Sequence, residues 1–135
     1  MRQKILLLVV VLIVAFIGLA GLSWHANHQK ESLIHHTSDT FVNDVLADNP
    51  NASYSLLTSS AKQSLSSTTW TGTVDKLYAT FVGKHPSYTG LTLSGTSATV
   101  SYKISGVDGN YDFNVALISS GKTWQVQSFI SKLQH

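Results

Sequence analysis

Apolar and polar residues alternate along the last third of the chain, and this pattern predicts four β-strands. We expect them at about residues 88–93, 96–105, 110–119 and 122–131. Each expected turn contains glycine, as short hairpin loops commonly do; the turns are 94–95, 106–109 and 120–121. Strands joined in succession by such short turns predict an antiparallel meander.

The lengths of these turns predict which residues lie opposite each other, because side chains alternate between the two faces of a strand. The expected pairs are Leu93–Thr96 and Leu91–Ala98 in the first hairpin, Ile104–Tyr111, Tyr102–Phe113, Val100–Val115 and Ala98–Leu117 in the second, and Leu117–Trp124, Val115–Val126, Phe113–Ser128 and Tyr111–Ile130 in the third. This register gathers most large apolar side chains on one inner face. Ala116, Ile118 and Phe129 are the apolar exceptions on an outer face rich in Ser, Thr, Asn and Gln.

The residues before the strands show helical spacing instead. One helix is expected to begin at the cap-type residues Ser38 and Asp39 and to end before Pro50. Shorter helices are expected at about 52–57 and 61–65, followed by a polar connection over 66–69.

A further helix is predicted to begin at Thr71 or Thr73 and to end at Gly83, with Asp75 in its first turn. Its apolar stripe consists of Val74, Leu77, Tyr78, Phe81 and Val82. Because only these helices are available to cover the inner face of the sheet, the predicted fold class is α+β, with helices packed on a curved four-stranded antiparallel meander.

The apolar run Ile5–Leu22 predicts a transmembrane helix ahead of this domain, and the basic Arg2 and Lys4 favour a cytoplasmic N-terminus. A cleaved signal peptide is the alternative, since Gly18 and Ala20 suit a peptidase, although signal cores are usually shorter. A type IV pilin leader is disfavoured, because no Gly-aromatic processing site precedes the run. Anchor and signal both place the remaining chain outside the cytoplasm.

The expected organisation therefore has four parts. They are a cytoplasmic N-terminus (1–4), a transmembrane anchor or uncleaved signal (5–22), a juxtamembrane segment that continues the helix (23–38) and an extracytoplasmic domain (39–135). The predicted localisation is a single-pass membrane protein with its C-terminal domain outside the cytoplasm.

Composition excludes several classes of function. Charged residues make up 12% of the chain and the formal net charge is +2, without a basic stripe, so a nucleic-acid partner is not expected. The absence of cysteine excludes disulfides, thiolate metal sites, cysteine nucleophiles and a lipidated cysteine.

The order of helices followed by a four-stranded meander with a G-x-x-W-x-V strand resembles the NTF2-like superfamily, in particular its small extracytoplasmic members. The likeness rests on "FVNDVLADNPNASYSLLTSSAK", on "VSYKISGVDGNYDFNVALISSGKTWQVQSF" and on Trp124 after Gly121, and it covers residues 39–132. It implies a sheet that curls into a cone and leaves a pocket or a partner surface. The superfamily includes ketosteroid isomerases and periplasmic domains of type IV secretion proteins, so the fold alone does not choose a function.

Acid–base catalysis in such a cone requires an inward titratable group. The predicted inner face offers only Tyr102, Tyr111 and Ser128, and we interpret both tyrosines as core residues. We interpret Asp75 as a partner of the helix dipole. An isomerase- or dehydratase-like activity of this chain would therefore require that the side chain of Asp75 or His85 reach a cavity.

Metal binding has one candidate, since His28, Glu31 and His35 share a face of a continuous helix. The same spacing is typical of a solvated segment, and we predict no metal and no cofactor. No HExxH, phosphate-binding glycine loop or G-x-S-x-G motif is present.

These observations predict a non-enzymatic, membrane-anchored binding or assembly domain of the cell envelope with a protein partner. The expected partner surface contains Ile118 and Phe129. The alternatives are a carrier or sensor of a small apolar ligand and an isomerase- or dehydratase-like enzyme. Candidate pocket residues between sheet and helices are Tyr54, Tyr78, Tyr102, Phe113 and Ser128.

Overall fold

The computed structural model describes the backbone of residues 24–134 and the side chains of residues 29–134. The elements are α1 (Trp24–Leu46), α2 (Pro50–Ser55), α3 (Ser59–Ser64), α4 (Ser67–Phe81), β1 (Ser87–Ser94), β2 (Ser97–Gly106), β3 (Gly109–Ser120) and β4 (Thr123–Leu133). The strands form one antiparallel sheet in the order β1-β2-β3-β4, and the helices pack on one of its faces. The predicted α+β class with a four-stranded meander is confirmed, whereas Ile5–Leu22 lies outside the described residues.

Helix α1 begins earlier than predicted. It runs without a break through Ser38 and Asp39, so the boundary expected between residues 38 and 39 falls inside a helix. Ser38 does not cap a helix start, because its side chain is fully buried and bonds to Tyr102 across the core. Ile34 is fully buried too, so residues assigned to the juxtamembrane segment contribute to the hydrophobic core.

Within residues 24–134, no helix combines the length and the apolar character needed to cross a membrane.

Helix α4 also begins earlier than predicted, because Ser66 caps it. The Ser66 hydroxyl accepts a hydrogen bond from the Thr69 backbone N–H, which satisfies a donor of the first turn. The expected connection over 66–69 is therefore largely helical, and Asp75 lies in the middle of the helix instead of its first turn. The earlier start adds Trp70 to the buried residues of the helix.

Helix α2 begins with Pro50 at its first position, two residues before the predicted start, because proline lacks the N–H that a first turn leaves unpaired. In α3 the Thr58 hydroxyl is the cap and accepts from the Ala61 N–H at 3.0 Å.

A buried serine fixes α2 against α4. Ser53 is fully buried, and its hydroxyl accepts a hydrogen bond of 2.8 Å from the indole Nε1–H of Trp70. The same hydroxyl donates to the carbonyls of Asn49, at 3.2 Å, and Pro50, at 3.1 Å. The indole nitrogen therefore enters the core with its hydrogen bond satisfied.

Substituting Ser53 by alanine should lower the free energy of unfolding by about 1–2 kcal/mol, because the buried indole N–H of Trp70 would lose its acceptor. Urea denaturation monitored by tryptophan fluorescence measures the change. The control is Ser55→Ala in the same helix, where an exposed hydroxyl donates to the Ala52 carbonyl. It should stay within about 0.5 kcal/mol of the parent. Equal effects of the two substitutions would contradict a specific Ser53–Trp70 bond.

The predicted register is confirmed in the second hairpin and wrong in the other two. Strands β2 and β3 pair Ala98 with Leu117 and Tyr102 with Phe113, as expected. In the β1–β2 hairpin Leu93 pairs with Ala98, two residues beyond the predicted partner.

The physical reason for this shift is the position of glycine in each loop. Gly95 and Gly121 occupy the first loop position with φ of 63° and 70°, as primed hairpin turns require. The loops are therefore 95–96 and 121–122, whereas the sequence interpretation placed glycine second in each. A two-residue shift by itself preserves the faces, so the inner face stays apolar up to Val126. In β1 a separate irregularity between Tyr88 and Gly90 places Tyr88 opposite Tyr102.

A β-bulge in β4 reverses the faces after Val126. Leu117 pairs with Val126, but the next residue of β3, Ala116, pairs with Ser128, so Gln127 is the extra residue. Its side-chain oxygen Oε1 accepts a hydrogen bond of 2.8 Å from the Thr58 hydroxyl. The predictions that Ser128 and Ile130 face inward and Phe129 outward are consequently wrong.

Several aromatic rings cross the inner face of the sheet in edge-to-face and stacked contacts. Phe129 packs on Phe113, Phe41 and Trp70 with centroid separations of 5.1, 5.5 and 6.4 Å. Phe81 continues the row from Phe113, at 5.1 Å. These aromatic contacts fill the space between the helices and the middle of the sheet.

Candidate functional site

An open cleft lies where α1, the connection from α4 to β1, and the β1–β2 strands meet. Its volume is about 310 Å³. The lining residues are Asp39, Val42, Asn43, His85, Pro86, Tyr88 and Tyr102. It therefore brings a carboxylate, an amide, an imidazole and two phenol rings to one concave surface.

A chain of hydrogen bonds leads from the core to this cleft. The Tyr102 hydroxyl donates to Asp39 Oδ1 at 2.5 Å. Because that bond uses its only proton, the Ser38 hydroxyl is the donor in the 2.8 Å contact with the Tyr102 oxygen. Ser38 is fully buried and Tyr102 is 3% exposed, while Asp39 is exposed. Helix α1 and strand β2 thus hold the Asp39 carboxylate in a defined position.

The electrostatics of this chain keep Tyr102 neutral. Burial is the main cause that raises the pKa of Tyr102 above its ordinary value, and the hydrogen bond to Asp39 raises it further. The bond from Ser38 acts in the opposite direction, since it stabilises the phenolate oxygen. Tyr102 therefore remains a hydrogen-bond donor to Asp39 throughout the neutral pH range.

Two more aromatic side chains belong to the surroundings of the cleft, since Tyr88 lines it and His35 packs on Tyr88. The His35 ring, one helical turn before Asp39, meets the Tyr88 ring edge-on at 4.8 Å between centroids. Tyr88 is 50% exposed, and its ring lies 6.4 Å from that of Tyr102. A ligand in the cleft would consequently meet an aromatic surface beside a negative charge.

A second open cleft, of about 500 Å³, adjoins the first, and His85 lines both. It contains the cations that the first cleft lacks; its other lining residues are Lys84, Ser87, Lys103, Ile104, Ser105, Asn110 and Gln134. Lys103 is already paired with Asp112 at 3.2 Å. Hydrogen bonds from Gln134 and Lys103 lower the pKa of Asp112.

The structure brings one of the five predicted pocket residues to the cleft, namely Tyr102. Tyr54 donates its hydroxyl to the Leu65 carbonyl at 2.8 Å, and Tyr78 is exposed on α4. Phe113 is fully buried in the aromatic row, and Ser128 lies opposite Ala116 on the outer face. These five residues do not form one pocket.

The two predicted partner-surface residues lie on opposite faces of the sheet. Ile118 is 36% exposed on the outer face, between Ser97 and Gln125. Phe129 packs in the aromatic row, because the bulge at Gln127 turns it inward. The outer face instead carries Ile130, which is 48% exposed.

Sequence reasoning missed Asp39, which it interpreted as a helix cap. The sequence did contain a signal that the helix continues through Asp39, because Ile34, Ser38 and Phe41 lie at helical spacing on one stripe of α1. The enzyme hypothesis required that Asp75 or His85 reach a cavity, and His85 does line both clefts. Asp75 lies on α4 beside Asp48, and hydrogen bonding to Asp75 raises the pKa of Asp48.

Among the described residues, no group of three or more His, Cys, Asp or Glu side chains is arranged to hold a metal ion. His28 belongs to the part of α1 whose side chains lie outside the description, so the candidate trio with Glu31 and His35, which the sequence analysis interpreted as a solvated segment, stays untested.

Comparison with known proteins shows a likeness in fold. An uncharacterised cystatin-fold protein from Novosphingobium aromaticivorans superposes with a TM-score of 0.50 at 14% identity, over 70% of this chain and 95% of its own. The chain therefore shares an α+β fold, with helices packed on a four-stranded antiparallel sheet, with that cystatin-fold protein. Neither a family model nor a curated protein matches its sequence. The coarser part of the prediction, an α+β fold with helices on an antiparallel meander, is confirmed, and the likeness says nothing about activity.

Proposed function

We propose that this chain is a non-catalytic binding domain that acts outside the cytoplasm and takes its ligand or protein partner in the cleft at Asp39. The observation that supports this proposal is the hydrogen-bond chain Ser38–Tyr102–Asp39, which fixes a carboxylate at the surface of a concave site. A pre-positioned polar group beside aromatic rings is typical of ligand sites.

The geometry favours binding over proton transfer. A general acid or base works best when its pKa lies near the operating pH. Burial moves the pKa of Tyr102 away from that range, and the Tyr102 proton is already donated to Asp39. The pair is therefore suited to holding a ligand in one orientation, and less suited to releasing and recovering a proton.

The placement outside the cytoplasm and the membrane anchor come from the apolar run Ile5–Leu22 in the sequence, and the assignment to the NTF2-like superfamily comes from the resemblance over residues 39–132. A domain that follows such a segment would lie in the cell envelope, outside the cytoplasm. The proposed partner is accordingly a component of the cell envelope.

An isomerase- or dehydratase-like enzyme is the second candidate, and one observation favours it. His85 lines the same cleft as Asp39 and Tyr102, which brings an imidazole to the site. The third hypothesis, a carrier of an apolar ligand, gains no such support, because Phe113 and the rings around it are packed together.

The test compares charge reversal inside and outside the cleft in the full chain, recovered from membranes of its native host after cross-linking. Asp39→Lys should remove the bound small molecule, seen by native mass spectrometry, or the cross-linked partner. Asp75→Lys, an equal charge change on the exposed side of α4, should retain it. The same bound material in both variants would contradict a site at Asp39. A bound molecule that His85→Gln leaves in a different chemical form from the parent would favour the enzyme.

A further inference from the structure

We infer that the cleft at Asp39 binds an alkylammonium group, the charged end of a small primary amine or of a lysine side chain. This inference rests on the proposed binding function and names the chemistry of its ligand. It follows from the charge, the aromatic surroundings and the size of the cleft.

Asp39 brings a carboxylate to the cleft, and none of the described residues that line it is a lysine or an arginine. Within residues 29–134, the ion pair that the structure forms joins Lys103 and Asp112, so Asp39 has no cationic partner in that range. The lysines of the neighbouring cleft, Lys84 and Lys103, do not line this one. The other titratable groups at the site are His85, Tyr88 and Tyr102, with His35 against Tyr88. A cation would complete this site, whereas an anion would meet the Asp39 carboxylate.

The hydrogen bond from Tyr102 leaves room for that cation. It engages Oδ1 of Asp39. A carboxylate accepts several hydrogen bonds, and an ammonium donates three. The Asp39 carboxylate can therefore accept a charge-assisted hydrogen bond from a ligand while it keeps the one from Tyr102. Tyr102 acts as a positioning residue, because it holds Asp39 without a proposed ligand contact of its own.

The aromatic ring of Tyr88 favours an alkylammonium over an inorganic cation as the ligand of the cleft. Tyr88 is 50% exposed and stands beside the cleft with its ring supported by His35. Ammonium groups are attracted to aromatic faces within about 6 Å of the ring centre, and the attached methylene groups gain apolar contact there. Pro86, which is half-buried, supplies more apolar surface in the same cleft.

The size of the cleft limits the ligand. A volume of about 310 Å³ lies at the lower end of the range of roughly 300–1,000 Å³ for ligand pockets. This space accommodates a short amine or the end of one side chain. A lipid tail or a folded peptide segment would extend well beyond it.

An NMR titration of the full chain tests the inference with n-butylammonium chloride as the probe, and with n-butanol and sodium butyrate as its neutral and anionic counterparts at matched ionic strength. We expect saturable shifts of the amides of Asp39, Asn43, Tyr88 and Tyr102 with butylammonium. Butanol should bind at least about tenfold more weakly, since it lacks the charge-assisted bond. Butyrate should produce no shifts at these residues. Equal binding of butanol, or stronger binding of butyrate, would overturn the inference.

Substitutions test whether the Asp39 carboxylate and the Tyr88 ring are the groups that bind the ammonium. Asp39→Asn should weaken butylammonium binding by about tenfold or more, whereas Asp75→Asn, an equal charge change away from the cleft, should leave it unchanged. Tyr88→Phe should keep the affinity and Tyr88→Leu should reduce it by about three- to fivefold, because only leucine removes the aromatic face. Unchanged affinity in Asp39→Asn would refute the site. Thermal unfolding of each variant verifies that it is folded.

A second set of titrations distinguishes a free amine from a lysine side chain of a protein partner as the origin of the ammonium group. N-acetyl-lysine methylamide that binds more tightly than butylammonium indicates a lysine of a protein partner, and the reverse order indicates a free amine. Both orders support the alkylammonium site. If no amine binds while the cross-linked or co-purified ligand still depends on Asp39, the inference about ligand chemistry fails and the proposed binding function survives.

Discussion

Replacing Phe129 by alanine should lower the free energy of unfolding by about 2–3 kcal/mol, a large effect for a residue that the sequence pattern places on the solvent-exposed face. The ring is partly buried and in contact with Phe113, Phe41 and Trp70 at centroid separations of 5.1, 5.5 and 6.4 Å, so its loss removes apolar contacts at the centre of the aromatic row. Urea denaturation followed by circular dichroism measures the change.

The neighbouring residue provides the matched control. Ile130 follows Phe129 in β4 but points to the outer face, where it is 48% exposed. Ile130→Ala should therefore change the free energy of unfolding by no more than about 0.5 kcal/mol. The same applies to Ile118→Ser on the outer face of β3. A large loss for Ile130 and a small one for Phe129 would show that β4 continues without the bulge.

The sequence-based prediction for Phe129 was wrong because one extra residue, Gln127, reverses the face of every following side chain in β4. A strand pattern shows alternation but does not show where an extra residue sits, and Gln127 resembles any other polar position. The adjacent pair Phe129–Ile130 was the visible signal, since two large apolar residues in succession cannot both face the core of a regular strand. The hydrogen bond between Thr58 and Gln127, which links positions 69 residues apart, was not visible in the pattern.

The meander itself was predictable because the β2–β3 hairpin alternates over its whole length. Tyr102, Phe113 and the other inner residues of this hairpin pair as expected. The two flanking hairpins were displaced by two residues, because the position of glycine within a loop depends on the turn type. That error preserved the faces, so the predicted core was correct in β2 and β3, and it failed beyond the bulge in β4.

The candidate site was less predictable than the fold. Tyr102 was predicted on the inner face, and the structure confirms that position. Asp39 is 63 residues away in the chain, and its proximity to Tyr102 depends on how α1 crosses the sheet. Ser38 was interpreted as a cap because serine is common at helix starts. A serine inside an apolar stripe has a second explanation, a buried hydrogen bond, which only the packed structure could decide.

Substituting Tyr102 by phenylalanine should lower the free energy of unfolding at neutral pH by about 2–3 kcal/mol. The substitution keeps the ring in the core but leaves the buried Ser38 hydroxyl without its acceptor and removes the bond to the Asp39 carboxylate. Asp39→Asn keeps an oxygen acceptor for Tyr102 and should be less destabilising. A smaller loss for Tyr102→Phe than for Asp39→Asn would contradict a structural role of this chain of bonds.

Alkaline pH gives a second measurement on the same residue. Because burial raises the pKa of Tyr102, the unfolded chain releases this proton at lower pH than the folded chain does. The stability that Tyr102 contributes is therefore present below a pH of about 10, the ordinary tyrosine pKa, and is lost as the pH rises above it. The free energy of unfolding should fall less steeply above this pH in Tyr102→Phe than in the parent. Some slope should remain, because burial and the hydrogen bond to Asp108 also raise the pKa of Tyr111. Identical slopes in parent and variant would mean that Tyr102 is not the buried, neutral donor on which the position of Asp39 depends.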